Sequence, residues 1–171
     1  MRLEKDDFQN INNWEEVIEV RDTHYIEDML TFREFIVIQS RYDGIPIIEV
    51  FNLANNSLSQ ITMKDEVYDL GLVYNNDFDS SFFRYSYSSL KTSPQILKYD
   101  LFDNSNNVIW KKQVNNFIDT DYEVRRIKTV ARDKTKVPVS IVYKKGLNLK
   151  TAPMLIYGYG SYGINMDSGF R

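Results

Sequence analysis

The chain of 171 residues has no cysteine, a single histidine, four prolines and seven glycines. The absence of cysteine excludes a disulfide framework, a thiolate zinc site and a cysteine nucleophile. His24 alone cannot form a histidine-rich metal site, and we expect it to be a surface or partly buried imidazole. The composition therefore predicts neither a bound metal nor another cofactor.

Long apolar runs and an excess of one charge are also missing. No stretch approaches the roughly 18 uninterrupted apolar residues of a membrane span, and residues 1–10 are too polar and acidic for a secretory signal. The 21 basic and 24 acidic residues give a net charge of -3, and no basic block exceeds two residues. These features predict a cytoplasmic protein that binds neither membranes nor nucleic acid.

Short β-type runs dominate the pattern that the sequence does contain. Hydrophobic residues make up 43% of the chain and aromatic residues 14%, which is enough for a substantial core. Short apolar runs between turn residues predict strands, whereas a helix is indicated only weakly, in the first twenty residues. The predicted strands before residue 118 are 25–30, 35–38, 46–51, 58–62, 67–74, 82–87, 94–100 and 108–111.

These strands form two groups of four. Pro46 and Pro94 begin corresponding strands, and 94 − 46 = 48 residues separate them. Four-stranded units that repeat at about this spacing are typical of propeller blades, which bury their faces against neighbouring blades. Because such repeats need about three or more units for stability, we expect the chain to be incomplete at its start.

The pattern changes near residue 118, where a polar linker follows the last of these strands. Residues 124–131 and 136–143 are predicted to pair as a hairpin. Residues 153–157 are more apolar and predict a buried strand. Strands in this order are typical of the start of an α/β fold, so we place a domain boundary after residue 117.

A loop rich in glycine and tyrosine follows, at residues 157–163. Glycines at the end of a strand indicate backbone that approaches another group closely. The loop contains the pattern Gly-x-Gly-x-x-Gly, but no helix-forming segment follows it, which argues against dinucleotide binding. Ser161 is one residue short of the spacing of a hydrolase nucleophile elbow and is interpreted as a loop hydroxyl. The loop could bind or stabilise a group, but not attack one.

Motifs at residues 25–28, 84–94, 131–133, 137–143 and 157–167 are specific enough to compare with known families. Together they resemble the prolyl oligopeptidase family, and within it the oligopeptidase B group. The resemblance implies a serine peptidase in which a seven-bladed propeller caps an α/β-hydrolase domain. It also implies cleavage of short peptides after basic residues, without a cofactor.

This resemblance implies a mainly β fold in two parts. Residues 1–117 would form about two C-terminal four-stranded blades of a β-propeller, and residues 118–171 the first strands of a truncated α/β-hydrolase domain. The serine, aspartate and histidine of the family would all lie downstream of Arg171. We therefore do not expect the chain to be an active peptidase alone, and a separate polypeptide could supply the catalytic half.

The same resemblance implies roles for three residues. Tyr159 matches the tyrosine whose phenol donates a hydrogen bond to the oxyanion of the tetrahedral intermediate. Tyr162 matches an aromatic residue at the wall of the substrate pocket, and Asp167 an acidic residue near the basic substrate side chain. The resembling pattern has a second acid where this chain has Gly169, which weakens the expected preference for basic residues. Without the resemblance, the three residues would suit a buried aromatic, a core aromatic and a solvated carboxylate.

A noncatalytic function is the alternative interpretation. Open sheet edges and incomplete apolar faces favour partner binding or aggregation, so the chain could instead be a β-rich interaction module or a decayed remnant. The basic pairs Arg125-Arg126 and Lys144-Lys145 are interpreted as exposed and solubilising.

Overall fold

The computed structural model describes residues 10–19 and 21–171, whose regular backbone is mainly β. The first sheet contains β1 (His24–Thr31), β2 (Phe35–Tyr42), β3 (Ile45–Asn52) and β4 (Ser57–Gln60). The second sheet contains β5 (Asp69–Leu72), β6 (Phe82–Ser88), β7 (Gln95–Asp100) and β8 (Asn106–Lys111). A separate hairpin pairs β9 (Tyr122–Val130) with β10 (Lys136–Lys144).

Both four-stranded sheets are antiparallel, and their strands lie side by side in chain order. Pro46 is the second residue of β3, and Pro94 directly precedes β7, so the two prolines mark the third strand of each sheet. The predicted pair of four-stranded units is confirmed, as is the predicted hairpin.

Two short 3-10 helices, Ile11–Asn13 and Asp119–Asp121, complete the regular structure of the described part of the chain. The helix indicated in the first twenty residues is represented there by the first of these single turns. Residues 1–9 and residue 20, which belong to the same prediction, lie outside the described residues.

Local turn chemistry explains the pairing of β2 with β3. Tyr42 pairs with Ile45, so the connecting loop has two residues, Asp43 and Gly44. Their φ angles are 49° and 78°, the left-handed values that a type I′ turn requires at both central positions. Asp and Gly tolerate this conformation, and the turn therefore sets the register of both strands.

The main core lies between the two sheets. Alternate residues of β6 point towards it, and Phe83 and Tyr85 are completely buried. Val37 of β2 and Ile48 of β3 are equally inaccessible on the first sheet. The cluster of buried apolar residues comprises Phe32, Phe35, Val37, Ile48, Val50, Ile61, Tyr68, Leu70, Phe83, Tyr85, Tyr87, Tyr99 and Leu101. Each sheet thus buries one face against the other.

Two carboxylates are buried in this region and are fully paired. Arg21 donates two hydrogen bonds, of 2.8 and 2.7 Å, to Glu49, which also accepts one from Ser40. Asp65 accepts hydrogen bonds of 2.9 Å from the hydroxyls of Tyr87 and Thr92. Because every such bond offsets part of the cost of removing charge from water, these acids are compatible with the core.

The outer edges of the sheets carry exposed apolar residues. All six residues of β8 are exposed, including Val108, Ile109 and Trp110. On the other sheet, β1 exposes Tyr25 and Met29. Open strands with apolar side chains are typical of edges that pair with or pack against a further element.

The predicted buried strand at 153–157 is wrong. In the described residues this segment is irregular, and the side chains of Met154, Leu155 and Ile156 are 79%, 92% and 80% exposed. A strand needs a partner for its backbone groups, and the hairpin β9–β10 does not pair with this segment. The segment is apolar, as the pattern indicates, but none of the described strands pairs with it, so the described residues form no α/β sheet beyond the hairpin.

The core predicts a large effect for Phe83. We expect Phe83→Ala to lower the free energy of unfolding by about 3–5 kcal/mol, because the change removes a fully buried ring and leaves a cavity between the sheets. Urea unfolding followed by tryptophan fluorescence measures this loss. Phe78→Ala is the matched control, since Phe78 is 51% exposed, and equal losses for both variants would contradict the proposed core.

Candidate functional site

The glycine- and tyrosine-rich loop lies on the surface. Tyr159 is 50% exposed and Tyr162 is 93% exposed, so both rings are accessible to a ligand. A turn shapes the end of the loop: Tyr162 and Gly163 have φ angles of 58° and 70°, and the amide of Ile164 donates to the carbonyl of Ser161 over 3.1 Å. The turn presents Tyr162 outward.

The predicted close approach of the loop backbone is not made by any atom of the described residues. A Cβ added at Gly158 or at Gly160 would meet no atom of the described chain within 4 Å. These two glycines are therefore not explained by packing within the described residues. The guanidinium of Arg171 does lie over the ring of Tyr157, at 4.7 Å from its centroid.

Asp167 is anchored to the first sheet. Arg41, in β2, donates to both carboxylate oxygens of Asp167, over 2.6 Å from Nη1 and 3.0 Å from Nη2. The Nε of the same guanidinium donates to Glu27 over 2.8 Å, and Nη1 donates to the carbonyl of Gly44 over 3.1 Å. The prediction of a freely solvated loop carboxylate, which followed from the residue alone, is thus wrong.

The electrostatics of this cluster favour the charged form of Arg41. Burial alone would lower the pKa of the Arg41 guanidinium, but the hydrogen bonds to Asp167 and Glu27 outweigh it and raise that pKa. Only 11% of the Arg41 side chain is exposed, so water screens these interactions weakly. Arg41 is therefore a permanent cation held between two carboxylates from distant parts of the chain.

The residues after Asp167 contact the second sheet and the hairpin, where the hydroxyl of Ser168 donates to that of Ser140 over 2.8 Å. A Cβ added at Gly169 would lie 3.1 Å from Oδ2 of Asp69 and 3.2 Å from Oγ of Ser88. The ring of Phe170 packs edge-on against Phe117, with 4.9 Å between ring centroids. Only a residue without a side chain fits between Asp69 and Ser88 without displacement, which explains the glycine at 169. We call residues 167–170 the docked segment.

The surroundings of Asp69, which lies against Gly169, disfavour its charged form. Burial, and after it the charge of Asp167, raise the pKa of Asp69, and Arg41 offsets only part of the increase. The sequence contained no signal for this, because Asp69 begins β5 and lies far from Asp167 in the chain.

A second ionic contact attaches the hairpin to the first sheet. Arg126 of β9 donates from Nη1 to the carboxylate of Asp43 over 2.9 Å and from Nη2 to the Asp43 carbonyl, and Lys128 pairs with the same carboxylate at 2.8 Å. The hydrogen bond from Lys128, supported by Arg126, lowers the pKa of Asp43. The interpretation of Arg126 as a merely solubilising residue is therefore wrong.

A shallow cavity of about 300 Å³ adjoins this contact. Arg126 of the hairpin lines it together with Asp43 of the β2–β3 turn, Ile47 of β3, and Asp65 and Tyr68. Its wall contains apolar side chains and charged side chains, and the charged ones already have partners within the chain. The cavity therefore offers no set of residues arranged for catalysis.

His24 contributes to neither contact. Its ring stacks on Tyr42 with 4.8 Å between centroids, and its Nδ1 lies 3.0 Å from the hydroxyl of Thr23. Across residues 10–19 and 21–171, no three His, Asp or Glu side chains are grouped to hold a metal ion. No helix in that same part of the chain is both long and apolar enough to span a membrane.

Comparison with known proteins assigns most of the chain to one domain type. The sequence profile of the prolyl oligopeptidase N-terminal beta-propeller domain matches residues 1–113. Dipeptidyl aminopeptidase BI from Pseudoxanthomonas mexicana is 30% identical over 160 residues, which are 92% of this chain and 22% of that protein. Protease 2 from Moraxella lacunata is 28% identical over 156 residues, or 90% and 22% of the two chains. The chain thus spans about a fifth of the length of these curated relatives.

Solved structures agree with this comparison. Oligopeptidase B from Trypanosoma brucei, in a closed form with covalently bound antipain, matches with a TM-score of 0.82 and 30% identity, over 91% of this chain and 23% of that one. Oligopeptidase B from Leishmania major matches with a TM-score of 0.81 and 27% identity, over the same shares. The two four-stranded sheets are therefore propeller blades in their architecture.

The raised pKa of Asp69 predicts a pH-dependent gain from its removal. When the pKa of an acid is higher in the folded state than in the unfolded state, ionisation destabilises the fold, and stability falls as pH rises through that pKa. Asp69→Asn should therefore raise the unfolding temperature at about pH 7 by a few degrees, and the gain should disappear below about pH 4.

Thermal unfolding followed by circular dichroism over this pH range measures the gain. Asp22→Asn is the control, since Asp22 is exposed. A loss of stability for Asp69→Asn at neutral pH would mean that the carboxylate is stabilised by its neighbours instead of being penalised by them.

Proposed function

The chain belongs to the prolyl oligopeptidase family, and from this premise we propose that it forms the junction between the propeller and the peptidase domain of a serine oligopeptidase. The proposed enzyme is of the oligopeptidase B type and hydrolyses short peptides after basic residues. The single observation that carries the proposal is the match of two blades and a hairpin to oligopeptidase B over nine tenths of the chain.

We place the domain boundary after residue 117. The second blade ends with β8 at Lys111, and the 3-10 helix Asp119–Asp121 leads into the hairpin. The hairpin forms its own two-stranded sheet and contacts the first blade through the ion pairs of Asp43. Separate sheets joined by polar contacts are typical of a boundary between domains, and residues 118–171 would then begin the peptidase domain.

The catalytic serine, aspartate and histidine come from outside this chain in our proposal. The catalytic residues of the family do not lie in the propeller domain, and the single histidine here stacks on Tyr42. A general base must lie within hydrogen-bond reach of its nucleophile, and His24 has no such serine among its described contacts. A segment of the same protein or a separate polypeptide would supply the triad.

Tyr159 is the residue of this chain that we assign to the chemistry. When the serine attacks the peptide carbonyl, the electron pair of the C=O bond moves to oxygen, and the phenol of Tyr159 donates a hydrogen bond to that oxyanion. The accessible ring of Tyr159 supports this role, since a phenol buried in the chain's own core could not reach a substrate. Tyr162 would form the pocket wall, and Asp167 would lie near the substrate side chain.

A noncatalytic interaction module is the second candidate function. It is favoured by the open edge of β8, where Val108, Ile109 and Trp110 are each about half exposed. Such an edge can pair with a strand of another protein by adding main-chain hydrogen bonds. This candidate requires no triad and predicts binding without hydrolysis.

Hydrolysis of a fluorogenic peptide with arginine at the cleaved position separates the two candidates. We expect no hydrolysis by the purified chain alone and hydrolysis when a polypeptide with the serine, aspartate and histidine completes the enzyme. Hydrolysis by the chain alone, after contaminating peptidases are removed, would contradict an external triad. Absence of hydrolysis in both samples would contradict the proposed peptidase and favour the interaction module.

The assigned role of Tyr159 predicts a defect in the chemical step. In the completed enzyme, Tyr159→Phe should lower kcat by roughly 10²–10³-fold with a small change in KM, because the lost bond forms only as the oxyanion develops. Tyr157→Phe is the matched control: it also loses a phenol hydroxyl and keeps the ring that contacts Arg171. Equal kcat values for the two variants would remove Tyr159 from the oxyanion site.

A further inference from the structure

The proposed function places the side chain of a basic substrate near the carboxylate of Asp167. That carboxylate already binds a guanidinium of the same protein. Arg41 donates to both of its oxygens in a bidentate arrangement, over 2.6 and 3.0 Å. This is the geometry in which a carboxylate recognises arginine, with two parallel N–H···O bonds. An arginine side chain of a peptide would need the same two oxygens.

Arg41 is held in place by more than Asp167. Its Nε donates to Oε1 of Glu27 over 2.8 Å, and Nη1 donates to the carbonyl of Gly44 over 3.1 Å. Glu27 is itself fixed by Gln39, whose amide donates to it over 3.1 Å and whose carbonyl accepts from the amide of Leu72 over 3.0 Å. The guanidinium is thus one part of a network that joins both blades.

We infer that Arg41 is a specificity-determining residue of the proposed peptidase, because its guanidinium occupies the carboxylate of Asp167 and prevents that carboxylate from selecting a basic substrate side chain. The inference rests on the proposed function for the identity of the substrate. It deepens that function by predicting that selection for arginine is masked at Asp167 and becomes available only when Arg41 is removed.

The intramolecular guanidinium has a large advantage over a substrate. It is tethered beside Asp167, so its effective concentration there exceeds that of a peptide in solution, and its side chain is already ordered by Glu27 and Gly44. Displacement would also leave Arg41 without one of its two carboxylates while only 11% of its side chain is exposed. A substrate cation therefore gains little by competing for this position.

Removal of the guanidinium would reverse the charge balance. Glu27 and Asp167 would then lie without the cation that now binds both of them, and Asp69 would keep the charge of Asp167 nearby without the offsetting charge of Arg41. Carboxylates left unpaired at this partly buried position favour a guanidinium that fits the vacated space. This provides a test that does not depend on catalysis.

The first experiment uses methylguanidinium as the probe and the unfolding temperature of the chain as the readout. Millimolar methylguanidinium should raise the unfolding temperature of Arg41→Ala, but not that of the wild type or of the double variant Arg41→Ala with Asp167→Asn. Potassium and tetramethylammonium at equal ionic strength are the controls, because neither has an N–H donor. Stabilisation of the wild type, or none of Arg41→Ala, would overturn the inference.

The second experiment measures selectivity in the completed enzyme, as kcat/KM for an arginine peptide divided by kcat/KM for its alanine counterpart. Arg41→Gln should raise this ratio by about tenfold, mainly through KM, because an opposite charge becomes available to the substrate. Asp167→Asn should leave the ratio of the wild type within about twofold and should abolish the gain of Arg41→Gln.

The two experiments fail in distinguishable ways. If Arg41→Ala does not fold, Asp167→Asn in the wild-type background still decides the matter, since a tenfold loss of arginine selectivity there would show that Asp167 is free to bind substrate. If no peptide is hydrolysed by any completed enzyme, the proposed function fails, and the methylguanidinium experiment decides the inference on the chain itself.

Discussion

Mutual burial of two β-sheets is the constraint on which the rest of this structure depends. Each sheet has one strongly apolar face, and the cores of the two faces meet at Val37 and Ile48 on one side and Phe83 and Tyr85 on the other. At roughly 25 cal/mol for each Å² of apolar surface removed from water, side chains of this size supply most of the favourable free energy. Neither face would be covered without the other sheet.

Polar contacts help to set how the two sheets, the hairpin and the docked segment are placed relative to one another. Gln39 joins the two sheets by accepting from the amide of Leu72, Arg126 joins the hairpin to the β2–β3 turn, and Arg41 joins the docked segment to β2. These contacts are directional, so they specify geometry more than they add stability. In the proposed enzyme, the ion pair at Asp167 would also decide which carboxylates remain for a substrate, so one guanidinium would couple structure to specificity.

Apolar side chains also remain exposed at sheet edges, outside the core between the two sheets. Propeller blades are stable as members of a series, because each blade covers the face of the next one. The exposed strands β1 and β8 are edge strands of the first and the second sheet, and the loop with Tyr159 and Tyr162 is also accessible. The surfaces that the proposed enzyme would use for assembly and for chemistry are thus those that the core leaves uncovered.

The amino-acid sequence by itself determined the local elements. Alternating apolar residues identified the strands of both blades and the hairpin, and Asp43-Gly44 specified a tight turn, because these features depend on neighbours within a few residues. The motif around Tyr159 is also a local feature of the sequence, and it indicated the family. Tertiary structure alone decided the rest: that residues 153–157 join no sheet of the described residues, that Gly169 lies against Asp69, and that Asp167 binds Arg41. Arg41 and Asp167 are 126 residues apart, and no local pattern records a contact that exists only after the sheets have packed.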